Sequence, residues 1–457
     1  MADPEFTAPG LQLTGWRAIV QQFYKARLVR NILTTVSGSA GAQLINLALI
    51  PVIMRIYGPE AFGVVGAFQS LTIILIPWCA LTYPMAIVLP RRAQDAVGLI
   101  RLSLLVASLI CGSTALFLYG FGAQAGTALG IEFLIPYMML LPIVMFSSAV
   151  LEITQQWLYR NRQYSLTARG ATLHALLYNA TRSGAGLIQA SAPVLVITSS
   201  LYYVIHSALL LIGIRLRREP NADSKEAGAQ SSPPKNLRQL AVEYSDFAVF
   251  RAPQVLINAL SVHMPTLVLA SAFGAVPAGF FALCLQVLAM PSNFIGKAVG
   301  SVYYPRITDA LHAREPVTRL LARGVMGMSV AGMIPFSALV IAGPWLFVLA
   351  FGGQWETAGE YARWLAISEF AGFIGGPCLV AIPALGLQKM YLVFEVVSTC
   401  LRIAAVLVGA FLFKNALSVV MAFAIASVVI NLAMIAVVLI QAQRWGRRLP
   451  VADSGDI

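Results

Sequence analysis

Apolar residues occur along this chain in runs of about twenty, parted by short polar segments in which Arg, Lys, Asp and Pro gather. About twelve runs can be marked, the first centred near Leu44 and the last near Ala426. At about 1.5 Å of rise per residue, each is long enough to cross the ~30 Å hydrocarbon layer of a bilayer as a helix. The pattern predicts an all-α polytopic membrane protein of about 12 transmembrane helices. Pro51, Pro77, Pro84, Pro253, Pro291 and Pro383 fall in or beside these runs. Helices in lipid tolerate them where neighbours satisfy the freed backbone groups, so kinks are expected.

One connection is longer than the others. It runs from Arg215 to Gln239, is rich in Ser, Pro, Asn, Asp and Lys, and reads as a flexible linker. The chain then divides into an N-terminal segment (1–30, of which 1–6 look like a cloning remnant), a six-helix half (31–215), the linker (216–240), a second six-helix half (241–443) and a tail (444–457). The halves echo one another at an offset near 215 residues. Ala42-Gln43-Leu44-Ile45-Asn46 returns, with insertions, as Ala252-Pro253-Gln254-Val255-Leu256-Ile257-Asn258, and Tyr57-Gly58 returns as Phe273-Gly274. Pro90-Arg91-Arg92-Ala93-Gln94-Asp95-Ala96 returns as Pro305-Arg306-Ile307-Thr308-Asp309-Ala310. Two parallel six-helix repeats follow, related by an axis along the membrane normal, an architecture that places substrate between the repeats.

Composition removes a water-soluble fold: 58% of the 457 residues are apolar and 11% are charged. The net charge of +12 raises the question of an anionic partner such as nucleic acid, which the positions of the basic residues decide. With a cytoplasmic N-terminus, 24 of the 31 Lys and Arg fall in inner segments. Arg55, Arg182, Arg363 and Lys414 fall outside, and Arg251, Lys297 and Arg402 lie within spans. The surplus thus reports topology with both termini cytoplasmic, and nucleic acid drops out. Trp157 and Trp445 mark predicted inner ends, and Trp345, Trp355 and Trp364 outer ones. The five cysteines all lie in apolar runs without metal-site spacing and read as small buried hydrophobes. No secretory signal peptide is expected.

Three segments carry a family likeness: Arg55-Ile56-Tyr57-Gly58-Pro59-Glu60-Ala61-Phe62-Gly63; Leu89-Pro90-Arg91 with Asp95-Ala96; and Phe351-Gly352-Gly353-Gln354-Trp355-Glu356-Thr357-Ala358-Gly359 followed by Leu365. With the twelve-run layout, the chain resembles the Wzx-type, polysaccharide-transport flippases of the multidrug/oligosaccharidyl-lipid/polysaccharide (MOP) exporter superfamily over nearly its whole length. The peptidoglycan-precursor branch of that superfamily typically has fourteen spans, which favours the polysaccharide branch. The resemblance implies a bacterial inner (cytoplasmic) membrane protein. It would move a polyprenyl-diphosphate-linked oligosaccharide, an O-antigen or exopolysaccharide repeat unit, to the periplasmic leaflet by alternating access. Membrane lipids and a polysaccharide polymerase machinery are the implied partners. No cofactor is implied, and coupling to a proton or sodium gradient stays open.

Polar residues inside spans are the candidates for this work, because they are costly in lipid. Arg251, Gln254 and Asn258 share one helical face, as do Gln286, Asn293 and Lys297. Ser39, Gln43 and Asn46 in the first run, with Gln69 and Ser70 in the second, complete a polar, cationic cavity between the halves. Arg251 and Lys297 would meet the diphosphate, one as a planar fork and the other as a point charge. The competing readings are hydrogen bonding between helices for the amides, snorkelling for Lys297, and pairing with Asp246 for Arg251. Glu395, Arg402, Glu369 and Glu152 are candidate coupling sites or tertiary ion pairs. His174, His206 and His263 stand on separate spans and read as packed residues. No phosphate loop, H-E-x-x-H or Gly-x-Ser-x-Gly motif occurs, and the outer loops are short, so no enzyme or metal site is expected. A cation antiporter of the same superfamily is the alternative, for which an acidic cavity would be the sign. A membrane glycosyltransferase or polymerase is the third reading.

Overall fold

The apolar runs fold as helices. The computed structural model describes residues 41–216, 235–313 and 317–447, without the side chains of 293–302, 304, 305, 312 and 445–447. Its helices are α1 (Gly41–Ile56), α2 (Pro59–Cys79), α3 (Ala93–Ala128), α4 (Leu140–Arg160), α5 (Tyr164–Ile188), α6 (Ala192–Leu216), α7 (Leu237–Glu243), α8 (Ala252–Phe273), α9 (Ala275–His312), α10 (Val317–Phe351), α11 (Glu356–Ile374), α12 (Gly376–Ala384), α13 (Gln388–Phe413) and α14 (Ala416–Arg447). No strand occurs among the described residues. Nine helical segments there are long and apolar enough to cross a membrane, with α11 and α12 forming one of them. The described part of α1 is shorter, and α5 carries Arg169, His174, Asn179 and Arg182 along its length.

Two helical breaks fall away from the prolines marked in the sequence, while Pro77 and Pro383 sit inside their helices. In α10, Ala342 leaves helical geometry two residues before Pro344, and Gly375 separates α11 from α12. Pro84 lies in a 3-10 turn, Tyr83–Val88, beyond the end of its apolar run. A π-turn, Phe247–Arg251, precedes Pro253 at the start of α8.

The centre of the molecule is the crossing of α2 with α9. A Cβ on Gly63 would stand 1.8 Å from the carbonyl oxygen of Ala275, and one on Gly279 would stand 2.4 Å from that of Pro59. Only glycine permits this approach. Gly63 and Gly279 are 216 positions apart, as are Pro59 and Ala275, and Gly66 faces its own counterpart, Ala282. Such reciprocity is the mark of a two-fold interface. Neighbour relations also recur: α4 packs on α2, α3 and α6, and α5 on α6; α11 packs on α9, α10 and α14, and α13 on α14.

At the end of the bundle where α2 and α9 begin, the turn between α10 and α11 inserts Trp355. The indole N–H donates to the Met54 carbonyl at 3.1 Å, and Phe62 and Phe280 lie edge-on to it. Gln354 also donates to Met54, and Arg55 to the Leu349 carbonyl. Trp355 was expected at a lipid interface, but it is fully buried, because its one polar atom is satisfied by a carbonyl of the other half. Trp345, by contrast, is exposed. Four cysteines are buried as expected, while Cys400 is exposed.

At the opposite end the described part of the expected linker is ordered. Residues 237–243 form α7, which seats Leu240 against Gly98 of α3. Lys235 N–H donates to Asp95, Tyr83 to the Ala241 carbonyl and Thr82 to that of Phe247. Arg160 donates to the carbonyls of Ile87 and Pro90 in the same loop. The remainder of the linker, Ser39, the N-terminal segment and all but the start of the tail lie outside the described residues.

Candidate functional site

A cavity of about 450 Å³ lies between the halves, bounded by α1, α2, α5, α6, α8, α9 and α11. Gln43, Asn46, Gln69, Ser70 and Gln286, all read from sequence as polar lining, stand on its wall. Gln69 and Gln286 are 217 positions apart and face the space one turn beyond the Gly66–Ala282 contact. Polar groups are gathered here because the helical stripes of α1, α2 and α9 turn the same way at the crossing.

The cation on this wall is Arg182, which sequence position had assigned to the outer connections. It is 7% exposed and lies in the body of α5, six residues before the end of that helix. Its guanidinium carbon stands 5.2 Å from the centroid of Tyr178, while its backbone carbonyl accepts from the Tyr57 hydroxyl at 3.0 Å. The Nε atom has no partner among the described residues. Beside it, Asn179 donates to Asn46 at 2.6 Å and to the Ala175 carbonyl at 2.7 Å, locking α5 to α1. The signal that could have found Arg182 is the i, i+1, i+4 set Tyr178, Asn179 and Arg182, which puts three polar groups on one face.

Arg251 and Gln254 lie elsewhere. Arg251 closes the π-turn at the start of α8, is exposed, and donates to the Gln254 side chain at 2.9 Å. The π-turn continues into α8 without a break, so Arg251 lies within the apolar segment Phe247–Phe273, as the sequence places it, but it is not on the cavity wall. Asp246 is exposed just before the turn. The side chains of Asn293 and Lys297 lie outside the described residues. Asn258 borders a second cavity of about 380 Å³, lined by Ile73, Ile76, Pro77, Tyr203, Val255 and others, which shares Ile73, Val262 and His263 with the first.

Asn258 also donates to Glu395 at 2.9 Å, and one turn further along α8 Ser261 accepts from Arg402 at 2.8 Å. Glu395 and Arg402, too far apart along α13 to touch, are thus joined through α8. Arg402 also lies in the field of Glu369, which reaches the cavity wall from α11. Glu152 sits on α4 beside Cys79, away from the cavity. His174 and His206, read as isolated, stack on each other with centroids 4.5 Å apart; His263 is separate and lines the cavity.

The family model described as "Polysaccharide biosynthesis protein" matches residues 52–360, about two-thirds of the chain. The chain belongs to the polysaccharide biosynthesis protein family. It is 26% identical over 379 residues to the succinoglycan biosynthesis transport protein ExoT of Rhizobium meliloti (strain 1021), covering 78% of this chain and 69% of that one. Identity is also 26% over 220 residues to the lipopolysaccharide biosynthesis protein WzxC of Escherichia coli (strain K12), covering 47% and 42%. The fold of this family member is that of MOP-superfamily transporters. An inward-facing multidrug resistance MATE family transporter superposes with a TM-score of 0.69 at 12% identity, over 90% of this chain and 99% of that one. An outward-facing one gives 0.59 at 14% identity, over 93% and 96%. The lipid II flippase MurJ in an inward closed conformation gives 0.65 at 10% identity, over 92% and 90%.

Proposed function

We propose that this protein is a flippase of the bacterial inner membrane, with both termini cytoplasmic. It carries a polyprenyl-diphosphate-linked oligosaccharide from the cytoplasmic to the periplasmic leaflet, by rocking of two six-helix halves and without a catalytic step. The observation that carries this reading is the cavity itself: a buried Arg182 among Gln43, Asn46, Gln69 and Gln286, closed at one end by the α2–α9 crossing and Trp355. The sealed end bears Arg55, Arg363 and Lys414, the sparsely basic side, which the distribution of charge makes periplasmic. Arg182 offers the diphosphate a planar, permanently charged fork, and the amides offer donors and acceptors to sugar hydroxyls. The apolar space beside Ile73 and Val262 lets the lipid stay in the bilayer while the headgroup enters. Arg251, exposed at the inner end of α8, and Lys297 meet the headgroup before it reaches Arg182. The relatives named for succinoglycan and lipopolysaccharide biosynthesis support this substrate class.

Reconstitution into liposomes with a fluorescent lipid-linked oligosaccharide tests the reading, with leaflet accessibility followed with and without a proton or sodium gradient. Protein-dependent translocation is expected; its absence under every gradient, from folded protein, would sink the proposal. Glu369 on the cavity wall favours a cation antiporter as the second reading, though the nearby positive charge of Arg402 offsets the pull of that carboxylate on a cation. Gradient-driven efflux of an organic cation, lost in Glu369→Gln, would establish that alternative.

A further inference from the structure

Behind the cavity wall four side chains stack into a column. Arg182 lies over the Tyr178 ring at 5.2 Å, Tyr178 stacks on His174 at 5.6 Å and 17°, and His174 stacks on His206 at 4.5 Å and 9°. Tyr202 closes the side, edge-on to His174 at 4.5 Å. Residues 174, 178 and 182 follow one another at four-residue spacing on α5, as 202 and 206 do on α6, so two regular helices build the column. Arg182, Tyr178 and Tyr202 reach the cavity, and the two imidazoles lie behind them, 3% and 6% exposed.

The imidazoles are poorly served for packing alone. His174 Nε2 and both ring nitrogens of His206 have no hydrogen-bond partner among the described residues. A neutral imidazole carries one donor and one acceptor, so His206 holds both unsatisfied in a buried place where a phenyl ring would fill the same space. Among the described residues, the cation that ends this column on α5 is Arg182, while Arg169 on the same helix is exposed. α6 presents the phenols of Tyr202 and Tyr203, α1 presents Gln43 and Asn46, and α2 presents Gln69. On α4, Glu152 acts on Cys79, and no described carboxylate acts on either ring.

Two stacked imidazoles can accept one proton but not readily a second, which would place like charges about 4.5 Å apart. Arg182 stands at the end of the column, 5.2 Å from the Tyr178 ring that is itself 5.6 Å from His174, and like-charge repulsion over on the order of 10 Å opposes even the first. An anion seated on Arg182 removes that opposition, worth about a tenfold change in proton binding at an effective dielectric of about 20. We propose that His174 and His206 form a single proton-binding site that fills when an anion occupies Arg182. Proton and headgroup then bind with reciprocal coupling, each strengthening the other. The inference rests on the headgroup reading above, and the test separates the two.

Inorganic diphosphate is the probe and the full-length protein in nanodiscs the sample. The chain has four histidines, so 13Cε1 labelling yields signals that single His→Gln variants can assign. Diphosphate is expected to draw the His174 and His206 signals toward the protonated position. Calorimetry in buffers of different ionisation enthalpy should show up to one more proton taken up by the wild type than by His206→Gln. In Arg182→Gln without ligand, protonation of the pair should be about tenfold easier. Bound diphosphate with unmoved histidine signals would overturn the inference and leave the headgroup reading standing. No diphosphate binding would overturn the headgroup reading, and the ligand-free Arg182→Gln titration would then decide the pair: an unmoved midpoint ends the proposal.

Discussion

The two halves of the molecule hold one crossing in two chemical versions. In the first, α1 meets α5 through Asn46 and Asn179, an uncharged pair, with Arg182 one turn away on the cavity wall. In the second, α8 meets α13 through Asn258 and Glu395, with Arg402 held by Ser261 and facing Glu369. Asn179 and Glu395 are 216 positions apart. The geometry of the clasp is kept while its charge has diverged. Among the described residues neither arginine is bonded to a carboxylate, but Arg402 is held by the Ser261 hydroxyl in the field of Glu395 and Glu369, whereas Arg182 lies over the Tyr178 ring beside amides. A cation with no charge partner can serve an incoming anion; a neutralised one holds helices together or responds to an ion.

The comparison is broken most severely at its axis. Gly63→Leu and Gly279→Leu should each destabilise the protein by on the order of 3 kcal/mol or more, because the new side chain meets backbone that cannot yield. Thermal melts in detergent should show both losses, similar in size if the contact is reciprocal. Arg182→Ala should lower oligosaccharide translocation at least about thirtyfold at equal membrane abundance, the worth of charge-assisted hydrogen bonds, whereas Arg251→Ala should cost less than about threefold. Equal losses at the two arginines would erase the distinction between wall and mouth.

The second half is probed by a double-mutant cycle. Asn258→Ala and Glu395→Ala should be non-additive in thermal stability by about 0.5–3 kcal/mol, while Asn46→Ala and Glu395→Ala should add. Trp355→Phe removes one donor to Met54, costs about 1 kcal/mol, and should raise labelling of a cysteine placed in the cavity by a membrane-impermeant reagent from the periplasmic side. The smallest effect belongs to the Lys235–Glu243 pair at the inner surface. The Glu243 carboxylate, hydrogen-bonded to it, holds the Lys235 ammonium above its ordinary value of 10.5. A cation so raised contributes its stability below the ordinary value and loses it as pH rises through the raised one. Glu243→Gln should therefore lower the melting temperature by the same small amount, within about 1 °C, at every pH between 6 and 9, as loss of an exposed ion pair does.

Most of the architecture was legible in the sequence because lipid imposes a long apolar period that few other folds share. The amides on the cavity wall could be picked out too, since Gln43 and Asn46 share one face of α1, and Gln69 and Gln286 stand close to the repeat offset on α2 and α9. Arg182 was not. In a count of basic residues by connection it stood beside a short loop, and only the length of α5 shows it to be interior. Arg251 lies within its span as read but off the cavity wall, because sharing a face with Gln254 and Asn258 does not say which neighbour that face meets. Trp355 shows a third limit: an indole at the end of a span fits lipid interfaces and helix interfaces equally well, and only its carbonyl partner in the other half separates the two.

The crossing at Gly63 and Gly279 has a further implication. Each glycine receives the carbonyl that its counterpart's half presents, so neither half owns a distinct surface there. Cut between α6 and α7, the chain would leave two pieces that meet as the protomers of a symmetric dimer do. A substitution tolerated on one piece need not be tolerated on the other, yet any change at Gly66 or Ala282 is felt by both at once. Those two positions, more than any charged residue, tie the sequences of the halves to each other.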